Sequence, residues 1–181
     1  MNIRVSIWIL AVAALATACA PAIGVRGPAP FPGAVVAPAE GPLPVSAGAL
    51  LDLPRLIQTA LALQGTRYQL GGDTPGSGFD CSGFVQYLFA EQGWALPRTV
   101  REQFAFGRRI QERDIQAGDL LFFATEAQGA THVGLAVDPG DAPVRSGHPF
   151  VHAPGENGSV RVDVLESAYW RSRFLGARRL F

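Results

Sequence analysis

Eleven consecutive residues, Phe79 to Phe89 (FDCSGFVQYLF), constrain this chain more than any other stretch. Counted from Cys81, apolar side chains fall at Cys81, Phe84, Val85, Leu88 and Phe89, offsets of 0, 3, 4, 7 and 8, which trace one face of a helix. The opposite face carries Ser82, Gln86, Tyr87 and Glu91. Asp80 is suited to cap the helix, Gly93 to end it, and the run GGDTPGSG ahead of Asp80 breaks any helix upstream. A core helix headed by Cys81 is therefore predicted. First-turn N–H groups and the positive end of the helix dipole favour thiolate over thiol, so a pKa below the free value of about 8.5 is expected. Cys81 is thus a nucleophile candidate. Its position is also in phase with the core, where a free cysteine serves as a small hydrophobe, and pairing with Cys19 is formally open.

The flanking patterns set the fold class. Leu53, Leu56, Ile57, Ala60 and Leu61 repeat the helical offsets, and Gly65 closes that segment. Residues 97–106 read as loop and short helix. Beyond them the period changes: DLLFFA (119–124), THVGLAV (131–137), PFVHA (149–153), SVRVDV (159–164) and residues 173–180 are short strands separated by Gly, Pro, Asp and Asn turns. Helices first and strands after predict an α+β domain with an antiparallel sheet. From Ala49 to Phe181 the length suits one domain with one core.

The N-terminal segment has a different character. Arg4 precedes an apolar run, Val5 to Leu15, too short to cross a bilayer core that needs about 20 residues, so residues 1–18 read as a signal peptide. Small residues ending in Cys19 resemble a bacterial lipobox, whose cysteine is acylated; Ala16-Thr17-Ala18 is also an A-x-A site that would release a soluble periplasmic protein. The lipobox is preferred because it accounts for the cysteine. Acylation of Cys19 would leave Cys81 the only free thiol in an oxidising compartment. Residues 20–48 hold seven prolines and five glycines with no apolar period, the composition of a linker that, extended, reaches on the order of 90 Å. Formal net charge is zero and all 15 basic residues are Arg, which gives no electrostatic case for nucleic acid.

Only three histidines occur, His132, His148 and His152. His132 begins one predicted strand and His152 lies in the next, so antiparallel neighbours would place both imidazoles on one face. A cysteine nucleophile needs a base, and the base needs an orienting partner; Cys81, His132 and His152 supply these roles. Zinc is the rival use. His148 and His152 have H-x3-H spacing, but the domain offers no second cysteine and a closed site wants four ligands, so no metal or cofactor is expected. His148, in a Pro/Gly-rich turn, is expected to be solvated.

Taken in order, QGTRYQLGG, FDCSGFVQYLF, LPRTVREQ, AGDLLFF, THVGLAV, FVHAP and RFLGARRL resemble the NlpC-type cell-wall peptidases, papain-like cysteine endopeptidases of bacteria. The resemblance implies a papain-like fold, N-terminal helices packed on a five- to six-stranded antiparallel sheet. It also implies Cys81 as nucleophile, His132 as base and His152 as the residue that orients it. Tyr68 would belong to the oxyanion region, and Asp80 and Ser82 would contact the substrate. The implied substrate is the stem peptide of peptidoglycan, cut at D-γ-glutamyl-diaminopimelate or at the diaminopimelate cross-link. Arg98, and less directly Arg101, would then meet stem-peptide carboxylates, a solvated surface role being the alternative. A turn lengthened by DPGDAPVRSGHP departs from the family pattern and makes His148 a rival to His152. The expectation is a monomeric lipoprotein on the periplasmic side of the outer membrane. Two alternatives stay open: a thiol amidase or acyltransferase with the same three residues, and a catalytically silent peptidoglycan-binding lipoprotein.

Overall fold

The computed structural model describes residues 50–138 and 147–181. The signal peptide, Cys19 and the linker to residue 48 lie outside the described residues, as does most of the lengthened turn, 139–146. No helix among the described residues is long and apolar enough to cross a membrane.

Each helix begins where its capping chemistry stands. Helix α1 (Leu53–Ala62) starts after Asp52, whose carboxylate accepts from the Arg55 N–H at 3.1 Å, and it buries Leu56 and Ala60. A two-residue hairpin, β1 (Asp73–Thr74) with β2 (Gly78–Phe79), then leads into α2 (Cys81–Ala90). Asp80 caps α2, and all five residues of the predicted apolar face are buried. Helix α3 (Val100–Ala105) opens with a capping box in which Thr99 and Glu102 satisfy each other's backbone N–H.

The sheet has six antiparallel strands: β3 (Arg108–Ile110), β4 (Leu120–Phe123), β5 (His132–Ala136), β6 (Pro149–His152), β7 (Arg161–Val164) and β8 (Phe174–Arg179), in the order β3-β8-β4-β5-β6-β7. A short helix, α4 (Ala168–Arg171), joins β7 to β8. All five strands predicted from the period change are present, and the sequence reading lacked β3, α4 and the hairpin.

Both faces of the sheet are covered. On one face Leu120, Phe122, Val133, Leu135 and Val151 pack against Leu56 of α1 and Phe84, Val85, Leu88 and Phe89 of α2. On the other, Leu121, Phe123, Phe150, Ile110 and Ala177 pack with Leu165 and Trp170. Double coverage explains why β4 reads as an unbroken apolar run, since both of its faces need apolar side chains.

Candidate active site

The start of α2 is held by a polar knot. Asp80 Oδ1 accepts from the Gly83 N–H at 2.7 Å and Oδ2 from the Gly71 N–H at 2.9 Å. The Arg98 guanidinium spans both oxygens, at 2.9 and 2.6 Å, and also donates to Ser82 Oγ at 2.9 Å. Burial pushes the Asp80 carboxyl up, but the bonds from Arg98 and Gly83 outweigh it and hold the group below the usual carboxylate range. Gly83 must be glycine, because a Cβ there would overlap the Gly72 carbonyl. Asp80, Ser82 and Arg98 are therefore brought together as one network, in which Arg98 has an internal partner that neither sequence expectation for it included. Arg101 is exposed on α3.

Cys81 is 9% exposed, and its Sγ packs against the start of β5, 4.0 Å from the Thr131 carbonyl oxygen and within reach of the Val133 N–H. The sulfur thus touches the peptide groups on both sides of His132. Burial pushes the thiol up to about 11, and the nearby Asp80 charge adds to the rise, while the Val133 N–H opposes it. This overturns the expectation of a lowered pKa: desolvation outweighs the help from the helix terminus, and the positive end of α2 already carries the Asp80 carboxylate.

His132 and His152 do share a sheet face. Leu135 pairs with Val151 and Ala136 with Phe150, a register that sets the two imidazoles diagonally across β5 and β6, with His132 Nε2 2.8 Å from His152 Nδ1. Gly134 makes room between them; a Cβ there would sit 2.6 Å from Cδ2 of Phe150 and 3.1 Å from Cβ of His152. The His132 ring stacks on Trp170, centroids 5.3 Å apart and planes 27° apart. Burial, with the His152 ring beside it, pushes His132 down to about 3. Burial also lowers His152, against the pull of Asp163.

Asp163 and Trp170 were missed in the sequence. His152 Nε2 stands 2.9 Å from Asp163 Oδ2, which also accepts from Trp170 Nε1 at 3.1 Å and Arg161 Nε at 3.2 Å. The hydrogen bond from His152 is the first of the influences that hold Asp163 at about 2. A signal was present. Alternation along RVDV puts Arg161 and Asp163 on one face, and pairing of His152 with Arg161 and Phe150 with Asp163 makes it the face of His152.

Tyr68 lies within electrostatic reach of this cluster. Burial raises its phenol pKa and the Cys81 and Asp80 charges raise it further, so the hydroxyl remains a protonated donor. His148 is partly solvated, as expected, and also has a partner that the sequence did not suggest. It is half-buried, with its N–H 2.8 Å and Nδ1 2.7 Å from the Glu166 carboxylate, and it is His152 that meets His132.

The chain matches the model of the NlpC/P60 family over residues 65–179. It is 34% identical over 128 residues to the gamma-DL-glutamyl hydrolase of Bacillus subtilis, covering 69% of this chain and 29% of that protein. The bifunctional muramidase/DL-endopeptidase CwlT of the same organism is 36% identical over 127 residues, covering 69% and 36%. The murein DD-endopeptidase MepS/murein LD-carboxypeptidase of Escherichia coli K12 is 37% identical over 118 residues, covering 65% and 57%. The match thus spans between about a third and just over half of the length of these relatives. Among solved structures, a lipoprotein-like NLP/P60 family protein of Staphylococcus aureus superposes with a TM-score of 0.61 at 31% identity, over 75% of this chain and 44% of that one. An NlpC/P60 family protein of Bacillus cereus gives 0.63 at 29% identity, over 72% and 40%. The fold is papain-like, as these structures are.

Proposed function

Since this chain belongs to the NlpC/P60 family, we propose that it is a cysteine endopeptidase that hydrolyses stem-peptide amide bonds of peptidoglycan through a Cys81-His132-His152 mechanism. The observation that carries this reading is the sulfur of Cys81 packed against the peptide groups flanking His132, whose ring is in turn engaged by His152. A thiol held protonated, with a neutral imidazole as its base, favours proton transfer concerted with attack over a resting ion pair.

The chemistry follows from that pairing. As Sγ bonds to the carbonyl carbon, its proton passes to Nδ1 of His132, the ring nitrogen that His152 does not use. The oxyanion forms beside the first-turn N–H groups of Cys81 and Ser82, with the Tyr68 hydroxyl as a further donor. His132 then protonates the leaving amine, the C–N bond breaks, and a thioester remains. Water attacks the thioester, giving its proton to His132, and the C–S bond breaks with return of a proton to sulfur. Ser82 and the exposed edge of Arg98 border the same helix end and serve the substrate backbone, with Asp80 holding both in place.

The bond cut is D-γ-glutamyl-diaminopimelate or the diaminopimelate cross-link; relatives carry both DL- and DD-endopeptidase in their names. Cys19 is the acylated residue that holds the catalytic domain, residues 49–181, on the periplasmic side of the outer membrane, with residues 20–48 as tether. Purified sacculi incubated with the protein, and with Cys81→Ala, test the reading. The protein is expected to release peptide fragments whose masses name the bond, and the variant none. Absence of release by both refutes the hydrolase, and equal release refutes Cys81 as nucleophile.

A further inference from the structure

The general base of a thiol enzyme must present a bare nitrogen to the thiol, and a neutral imidazole has only one. Which nitrogen is bare on His132 is decided two residues away from the sulfur. Asp163 is ionised and its oxygens can only accept, so the nitrogen facing it, Nε2 of His152 at 2.9 Å, must carry a proton. A neutral His152 protonated at Nε2 has a bare Nδ1. That bare nitrogen is 2.8 Å from His132 Nε2, which must therefore be the donor. His132, protonated at Nε2, is left bare at Nδ1. With the other tautomer of His152, two lone pairs would face each other at Asp163, and His132 would carry its proton on the nitrogen that has to take one from the thiol.

We propose that Asp163 is a positioning residue that sets the direction of the whole relay, fixing His152 as the Nε2–H tautomer and thereby leaving Nδ1 of His132 free to accept the thiol proton. Its own placement is over-determined. Trp170 Nε1 at 3.1 Å and Arg161 Nε at 3.2 Å donate to the same oxygen that takes the His152 proton, and the Trp170 ring also stacks on His132. Trp170 thus holds both ends of the relay, one through its N–H and the other through its ring face. The same anchoring separates Asp163 from the paired acid elsewhere on the surface, Glu166, which holds His148 and not the relay.

This assignment rests on the catalytic reading above, but part of its test does not need activity. The chain has only three histidines, so ring-15N histidine labelling gives three resolvable imidazoles. In the wild-type full chain His152 is expected as the Nε2–H tautomer and His132 as the Nε2–H tautomer with an unprotonated Nδ1. In Asp163→Ala both are expected to become mixtures, with kcat on sacculus-derived peptides falling about 30-fold and KM changing less than twofold. Asp163→Asn can place its amide oxygen under the same three donors; it is expected to keep the wild-type tautomers and lose much less of kcat. A His152 ring protonated at Nδ1 in the wild type overturns the proposal whether or not any peptide is cut. So does an Asp163→Ala protein with unchanged tautomers or unchanged kcat. Should Asp163→Ala fail to fold, an Asp163→Asn protein that folds with altered tautomers or a kcat loss of 30-fold or more overturns it equally. Lack of cleavage by the wild type with the expected tautomers refutes the catalytic reading and leaves the relay standing.

Discussion

The thiol at the head of α2 and the imidazole of His132 are both held neutral by the same cause. Burial penalises the charged form of each, raising Cys81 to about 11 and lowering His132 to about 3. The charged and titratable groups acting on them come from three places: Asp80 before α2, His152 on β6, and Asp163 and Arg161 on β7. For the thiol, the thiolate fraction grows only as pH climbs toward 11; for the imidazole, protonation waits until pH falls toward 3. Alkylation of Cys81 by iodoacetamide at pH 7 is therefore expected to run at least about tenfold slower than that of an unstructured thiol of pKa about 8.5, and to rise about tenfold per pH unit above it. A fast rate that is flat from pH 5 to 9, followed by mass spectrometry, would reveal a resting thiolate and contradict this account. Cys81, His132 and His152 were legible because each sits at a fixed phase of a local pattern. The thiol's pKa was not, because desolvation comes from side chains distant in sequence. Asp163 was missed for a similar reason: its importance lies in a cross-strand register that only the folded sheet defines.

At the scale of elements, the β5 and β6 pair is where packing and chemistry meet. Gly134 is the only residue small enough for its place, since an added methyl would press on the Phe150 ring and on His152 Cβ. Gly134→Ala is expected to cost about 1–3 kcal/mol, as overpacking of a well-filled interior does, and to reduce peptide release further by displacing the His152 ring from His132. Urea unfolding read alongside the release assay checks both; wild-type stability in the variant would remove the packing argument. Helices α1 and α2 were legible from apolar periodicity with the cap or stop residues beside them, as with Asp80 before Cys81, and α3 only as a short helix within residues 97–106. The five longer strands were legible from alternation and turn residues. Strand β3 was not, because Arg108 and Arg109 give it no apolar pattern and its existence depends on pairing with β8. Helix α4 and the hairpin before α2 are too short to carry a period at all.

Across the whole molecule, the sequence carried the layer architecture but not the strand order. Nothing local in residues 174–179 says that β8 lies between β3 and β4. The second apolar face, sealed by Leu165 and Trp170, was equally hidden, because a continuous run such as LLFF fits either a two-faced strand or a buried helix. Cys19→Ala is expected to move the protein from the membrane fraction to the soluble fraction while its activity on purified sacculi stays within about twofold, since residue 19 lies outside the matched family region. Retention in the membrane fraction would refute acylation at that position.

The interior place of β8 has a consequence for how the chain is born. Until residues 174–179 have been synthesised, β3 has no partner and β4 shows a bare edge beside the strand that carries His132. Pairing the final strand with segments some 50 to 70 residues earlier is a slow, non-local closure. The sheet face that carries His132, His152 and Asp163 is therefore completed only when residues 174–179 insert between β3 and β4.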